Sequence, residues 1–222
     1  MEPLKIEQER SGARFDRALL LETRDRTRAL IHEVAGAIVP GMAEADALAL
    51  LKRTLKERGM LRGWHAPHVR FGINTLKQFG EPSEPGVVLG QEDIFFLDIG
   101  PVWQGHEGDA GETFVVGRDP EMHRAARDVK AVFDTTRTRW LADGLSGLEL
   151  YRFAEREAGR LGWALNLELG GHRLSDFPHA VVHDGALLEA DYAPSAGLWV
   201  LEIQIRHPSR PFSAFHEDLL LQ

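Results

Sequence analysis

The sequence predicts an α+β fold, a single domain built from two related halves. Three observations carry that prediction. Stretches with helical periodicity are followed in each half by stretches with strand character. The order helix, glycine turn, helix, glycine stop, strands occurs twice; laying Gly41 on Gly144 also lays Arg53 on Arg156 and Gly59 on Gly162, an offset of 103 residues. No low-complexity linker separates the halves, so they share one core. The expected boundaries are an N-terminal extension over 1–14 and one domain over 15–222.

Residues 12–38 read as a helix, with Leu19, Leu20, Ala29, Leu30, Val34, Ala35 and Ile38 at three- and four-residue spacing. Its arginines (Arg14, Arg17, Arg24, Arg26, Arg28) fit a solvated face paired with Glu22, Asp25 and Glu33 better than an anionic partner. Pro40-Gly41 breaks the chain, and a second helix over 44–58 is closed by Gly59. A third helix is expected over 128–140, broken by Asp143-Gly144, and a fourth over 147–161, ending at Gly162. Strands are expected over 93–101 and 106–116, and again over 198–206 and 212–221 about the turn His207-Pro-Ser-Arg-Pro211.

Composition narrows the chemistry. Among 222 residues, 26 Lys+Arg against 34 Asp+Glu give a net charge of −8. That sign argues against nucleic acid or an anionic membrane as partner. The chain has no cysteine. Thiolate zinc sites, iron–sulfur clusters, disulfides and cysteine nucleophiles are excluded, and a reducing cytoplasmic setting is expected. The charged N-terminal stretch has no apolar signal region, and the longest apolar runs, such as Ile94-Phe-Phe-Leu97, are too short to span a bilayer.

Carboxylates interrupt the apolar strands. Asp98 sits in Ile94-Phe-Phe-Leu-Asp-Ile-Gly100, where a buried charge must be paired, neutralised or metal-bound. A turn centred on Trp103-Gln104 sets Asp109 directly opposite Asp98. Glu202 interrupts 198–205 in the same way, and a turn at Ser209-Arg210 sets Glu217 opposite it. Each carboxylate alone fits a private salt bridge, for example to Arg206 or Arg173. The four together, with a histidine, favour metal. The candidate is His172 in Gly170-Gly-His-Arg; four carboxylates and one histidine suit two ions rather than one catalytic zinc. A three-histidine site of His172, His179 and His183 has no regular spacing behind it. The His-Glu-x-x-His, P-loop, dinucleotide and Gly-x-Ser-x-Gly motifs are absent.

Asp98-Ile-Gly, Asp109 with Thr113, Gly-His172, Glu202 and Glu217-Asp218, in that order, resemble the methionine aminopeptidase/Xaa-Pro dipeptidase family of metallopeptidases. The resemblance runs from about residue 15 to 222. It implies the pita-bread fold, with two pseudo-symmetric halves and a curved antiparallel sheet covered by helices. It implies two divalent ions (manganese, cobalt, zinc or iron) held by Asp98, Asp109, His172, Glu202 and Glu217, with Asp109 and Glu217 bridging. It implies attack of a metal-bridged hydroxide on the N-terminal bond of a peptide or on a dipeptide. Glu202 would shuttle the proton, and His179 would contact the substrate carbonyl. Homodimers are common in the family.

Three departures stand out. The family's usual histidine upstream of the first aspartate is missing from 75–92, which leaves His68, or failing it His65, to serve; a surface or core position fits His68 equally well and His65 better. Ile203 replaces the usual proline, and Phe215 stands where Xaa-Pro enzymes tend to have arginine. The competing functions are a non-catalytic binding module on the same fold and a hydrolase of a small non-peptide amide. Trp64, Phe71, Trp103, Phe177 and Trp199 are each expected in the core rather than in a substrate pocket.

Overall fold

The helices form where the caps allow. In the computed structural model, which describes residues 7–181 and 183–222, α1 (Arg17–Ala35) starts five residues later than its periodicity suggests. Asp16 caps it, its side chain accepting from the N–H groups of Ala18 and Leu19. The second helix, α2 (Glu44–Glu57), stops before Gly59, whose φ of 69° suits the left-handed conformation. In the second half, α3 (Pro120–Asp143) begins eight residues before the expected start, because Asp119 caps it and Pro120 fits its first turn. Helix α4 (Gly147–Arg160) begins with a Ser146/Glu149 capping box. α2 and α4 have the same length and lie 103 residues apart, as the glycine register requires.

One antiparallel sheet unites the halves. Strands β1 (His68–Phe71), β2 (Asp93–Ile99) and β5 (Ala110–Val116) come from the first half. Strands β6 (Ala164–Leu165), β7 (His172–Arg173), β8 (Trp199–Arg206) and β9 (Ser213–Leu219) come from the second. The order β1-β2-β5-β9-β8-β6, with β7 also on β8, places a pseudo-twofold axis between β5 and β9. That seam pairs Gly111 with Glu217 and Glu112 with His216.

The four α-helices of the described residues cover one face. Leu97 and Ile99 pack with α1 and α2, while Leu201, Ile203 and Ile205 pack with α3 and α4. Strand alternation therefore sends Asp98, Glu202 and Glu217 to the opposite face. Helix α1 crosses the seam: Arg24 and Arg28 both reach Asp218 on β9, at 2.5 and 3.1 Å, and Arg28 reaches Glu112 on β5 at 3.3 Å. Among the described residues no helix is long and apolar enough to cross a membrane.

The expected register of the first hairpin is corrected. Asp98 pairs with Gly111, not Asp109. The turn is Gln104-Gly105, with φ of 45° and 77°, and a small ribbon, β3 (Val102–Trp103) with β4 (His106–Glu107), extends the hairpin. Asp109 lies between β4 and β5, on the same face as Asp98 but two residues along. The second hairpin follows its expected register, with Glu202 paired to Glu217. Residues 1–6 of the expected extension lie outside the described residues. Residues 7–16 pack on the body: Glu9 accepts from Ser195 and from Trp199 Nε1, and the Arg10 carbonyl accepts from Arg173.

Two expected outcomes follow from these contacts. Asp119 caps α3 and pairs with Arg210 at 2.7 Å, so Asp119→Ala costs about 1–2 kcal/mol, read by urea unfolding. His216 is buried against Phe133, and burial holds its pKa down at about 4. The unfolded chain takes up that proton first, so this contribution to stability is present above the ordinary pKa of 6.5 and is lost as pH falls toward about 4. His216→Leu should flatten the pH dependence of stability over that window; an unchanged slope would assign it to other groups.

Candidate metal centre

A single row of paired residues crosses the sheet. His68 pairs with Asp98, Asp98 with Gly111, Gly111 with Glu217, and Glu217 with Glu202. In the middle of the row the side chain is missing. A Cβ at Gly111 would collide with the Phe215 ring and approach Glu217 Oε1 to 3.0 Å, so glycine makes room for the carboxylate. Asp109 comes from the break between β4 and β5, and His172 comes from β7.

Five of the residues singled out in the sequence, Asp98, Asp109, His172, Glu202 and Glu217, line one cavity of about 410 Å³. His172 Nε2 lies 2.7 Å from Asp109 Oδ2, and Gly171 donates its N–H to Glu202 Oε2 at 2.7 Å. The hydroxyl of Tyr151 ties down the Glu202 backbone, bonding both its N–H and its carbonyl at 3.2 Å. The salt bridges considered for these carboxylates are not formed: Arg173 is bonded to backbone carbonyls, as is Arg206.

His65 is the residue whose place the sequence misjudged. It is neither a surface nor a core residue. Its Nε2 lies 3.3 Å from Asp109 Oδ1 and 3.6 Å from Asp98 Oδ1. It comes from an irregular segment, where no periodicity marks a site. Gly100 makes its position possible, since a Cβ there would overlap the His65 ring. His68 stands farther out, with Nδ1 3.4 Å from Asp98 Oδ2, and Phe79 packs edge-on to both histidines. Trp64 also departs from expectation. It lines the cavity, with its ring against His65, His172 and His179. Phe71 and Trp199 are core residues as expected.

The electrostatics call for positive charge. Burial raises the Glu217 pKa well above the carboxylate range, and the charges of Asp109, Asp98 and Glu202 push it the same way. Glu202 is raised too, chiefly by burial. Burial works against charge on His172 and His65, yet hydrogen bonding to Asp109 and the nearby carboxylates bring both up to about 9. Asp109, despite burial, is held down at about 2 by the same two rings.

The histidine geometry tests whether cations fit. His172 Nδ1 is 3.0 Å from the Arg173 carbonyl, and His65 Nδ1 is 2.9 Å from that of Ala66. A carbonyl can only accept, so each Nδ1 donates, and each Nε2 of a neutral ring points a lone pair at carboxylate oxygen. Acceptor facing acceptor requires a proton or a metal ion between them. Glu217 Oε1 is buried without a hydrogen-bond partner among the described residues. Ligand atoms of Asp109, His172 and Glu217 lie within 4.8 Å of one another, as do those of His65, Asp98 and Asp109. The donor set fits divalent cations, with Asp109 common to both groups.

Solved structures share this architecture. A dipeptidase from Pyrococcus horikoshii OT3 superposes with a TM-score of 0.75 at 19% identity, covering 93% of this chain and 60% of that one. An Xaa-Pro dipeptidase from Bacillus anthracis gives 0.70 at 20%, covering 91% and 56%. A methionine aminopeptidase from Thermotoga maritima gives 0.67 at 17%, covering 87% and 91%. The chain thus spans about three fifths of the two dipeptidases, and at these identities the likeness is one of fold. A comparison with curated protein sequences finds no match. The profile of metallopeptidase family M24 matches residues 18–197, most of the chain, a stretch that includes Asp98, Asp109 and His172. The chain belongs to metallopeptidase family M24.

Proposed function

We propose that the chain is a dinuclear metal-dependent peptidase acting on the amino-terminal bond of a peptide or on a dipeptide. The observation that carries the reading is the pair of donor groups sharing Asp109, with both imidazole lone pairs oriented into them. Asp98, Asp109, His172, Glu202 and Glu217 would hold the ions. Manganese, cobalt, iron and zinc all suit carboxylate oxygen with imidazole nitrogen. Once bound, such ions supply Lewis acidity toward the scissile carbonyl and a water acidified toward neutrality.

The chain's own residues do the rest. Glu202 fixes Oε2 on the Gly171 N–H and keeps Oε1 without a hydrogen-bond partner among the described residues, so Oε1 is the atom to carry a proton to the leaving amine. His65 stands beside Asp98 and Asp109 and meets the need for a histidine upstream of the first aspartate better than His68. His179, Trp64 and Phe79 wall the cavity. Glu168 and Asp184 add negative charge to its lining, which favours a substrate with a free amino terminus. Phe215 packs on Phe96 and makes the neighbouring surface apolar rather than cationic.

Wild-type protein reconstituted with manganese or cobalt should carry close to two ions per chain by elemental analysis. Asp109→Ala removes the shared ligand and should lose both; a protein that binds neither metal would be a binding module on a peptidase fold. Because His65 and His172, brought up to about 9, hold protons near pH 7, and burial raises the proton affinity of Glu202 and Glu217, metal binding should release protons, and apparent affinity should rise with pH. Calorimetry in buffers of different ionisation enthalpy measures that release. A panel of Met-, Xaa-Pro- and other amino-terminal peptides, with small amides alongside, reads specificity. Glu202→Gln should lower kcat by roughly a hundredfold or more.

A further inference from the structure

Glu107 is a carboxylate that the metal centre does not use. It lies two residues before Asp109, its side chain is fully enclosed (0% exposed), and it does not line the cavity. Its Oε1 accepts the N–H of His179 at 2.8 Å. Its Oε2 accepts the N–H of Ser175 at 3.0 Å and meets His179 Nδ1 at 2.7 Å. Both oxygens are therefore acceptors, and Nδ1 must be the donor. The other ring nitrogen, Nε2, has no partner among the described residues.

The surroundings leave the ring little freedom. Trp64 packs edge-on at 5.0 Å, and His172 stacks at 5.9 Å. The segment leading to His179 is pinned as well. Asp176 Oδ1 accepts from Ser175 Oγ and from the N–H of Gly12, and Phe177 donates to the Gly105 carbonyl. The backbone is thus held by several groups, whereas the ring protons answer to Glu107.

We propose that Glu107 is a positioning residue: it keeps the proton of His179 on Nδ1, so that Nε2 meets the substrate as a hydrogen-bond acceptor. The group this fits is an N–H, from the amino terminus or the scissile peptide. The inference rests on the peptidase reading for its substrate and specifies what His179 does there. It differs from the role the family resemblance implies, since a neutral ring held this way offers the substrate carbonyl no proton.

The test uses the full chain labelled with ring-¹⁵N histidine, with and without zinc, at about pH 8, where an ordinary imidazole is neutral. Loss of one signal set in His179→Asn assigns the resonances. The expected long-range correlation spectrum shows His179 protonated at Nδ1, with Nε2 pyridine-like. Glu107→Gln, whose amide can donate to Nδ1, should mix or invert the tautomers. It should also lower kcat/KM roughly tenfold or more at unchanged metal content. A wild-type ring protonated at Nε2 overturns the proposal without recourse to any variant. So does a Glu107→Gln spectrum identical to wild type, or an unchanged kcat/KM. If the tautomers come out as expected but the wild type cleaves no peptide, the peptidase reading fails and the hold of Glu107 on His179 stands.

Discussion

Everything about this fold is arranged around the burial of like charge. Asp98, Asp109, Glu202 and Glu217 share one cavity, and among the described residues no arginine or lysine lines it. Unpaired buried carboxylates are costly, and as neighbours they also raise one another's affinity for protons. Two histidines relieve part of the strain. Their Nδ1 atoms are already committed to backbone carbonyls, so relief comes only through Nε2. The helices supply the framework that makes this arrangement affordable: they cover one face of the sheet with apolar packing and leave the other free for the carboxylates.

The framework was largely legible from sequence because it is periodic and repeated. The glycine register located both helix pairs, and the turn at Ser209-Arg210 set Glu202 against Glu217. The first hairpin was misread because its tip carries a further ribbon. The signal was present in Gln104-Gly105, a pair that takes positive φ as two-residue hairpin turns require. The early start of α3 was likewise written in Asp119-Pro120, a cap followed by a first-turn proline.

The site was less legible where it leaves regular structure. Asp98, Glu202 and Glu217 interrupt apolar strands and so announce themselves. His65 and Trp64 sit in an irregular segment whose course is fixed by close approach to Gly100, a contact that no local pattern encodes. Glu107 is similar: its partners are 68 and 72 residues away, and only the fold brings them together. Ile203 points into the helix-side core, so its departure from the family pattern lies away from the cavity, whereas Phe215 shares the face of Glu217.

The seam between β5 and β9 gives the site a second character. Two residue pairs join the halves there, reinforced by Arg24 and Arg28 of α1. Asp98 and Asp109 stand on one side of that seam, and His172, Glu202 and Glu217 on the other. Neither half alone holds the full donor set. A cation bound among them would act as a rivet between two repeats, so that catalytic competence and the mating of the repeats become one equilibrium. A duplicated unit with such a joint keeps its chemistry only while both copies remain together, which gives the second copy a reason to be retained.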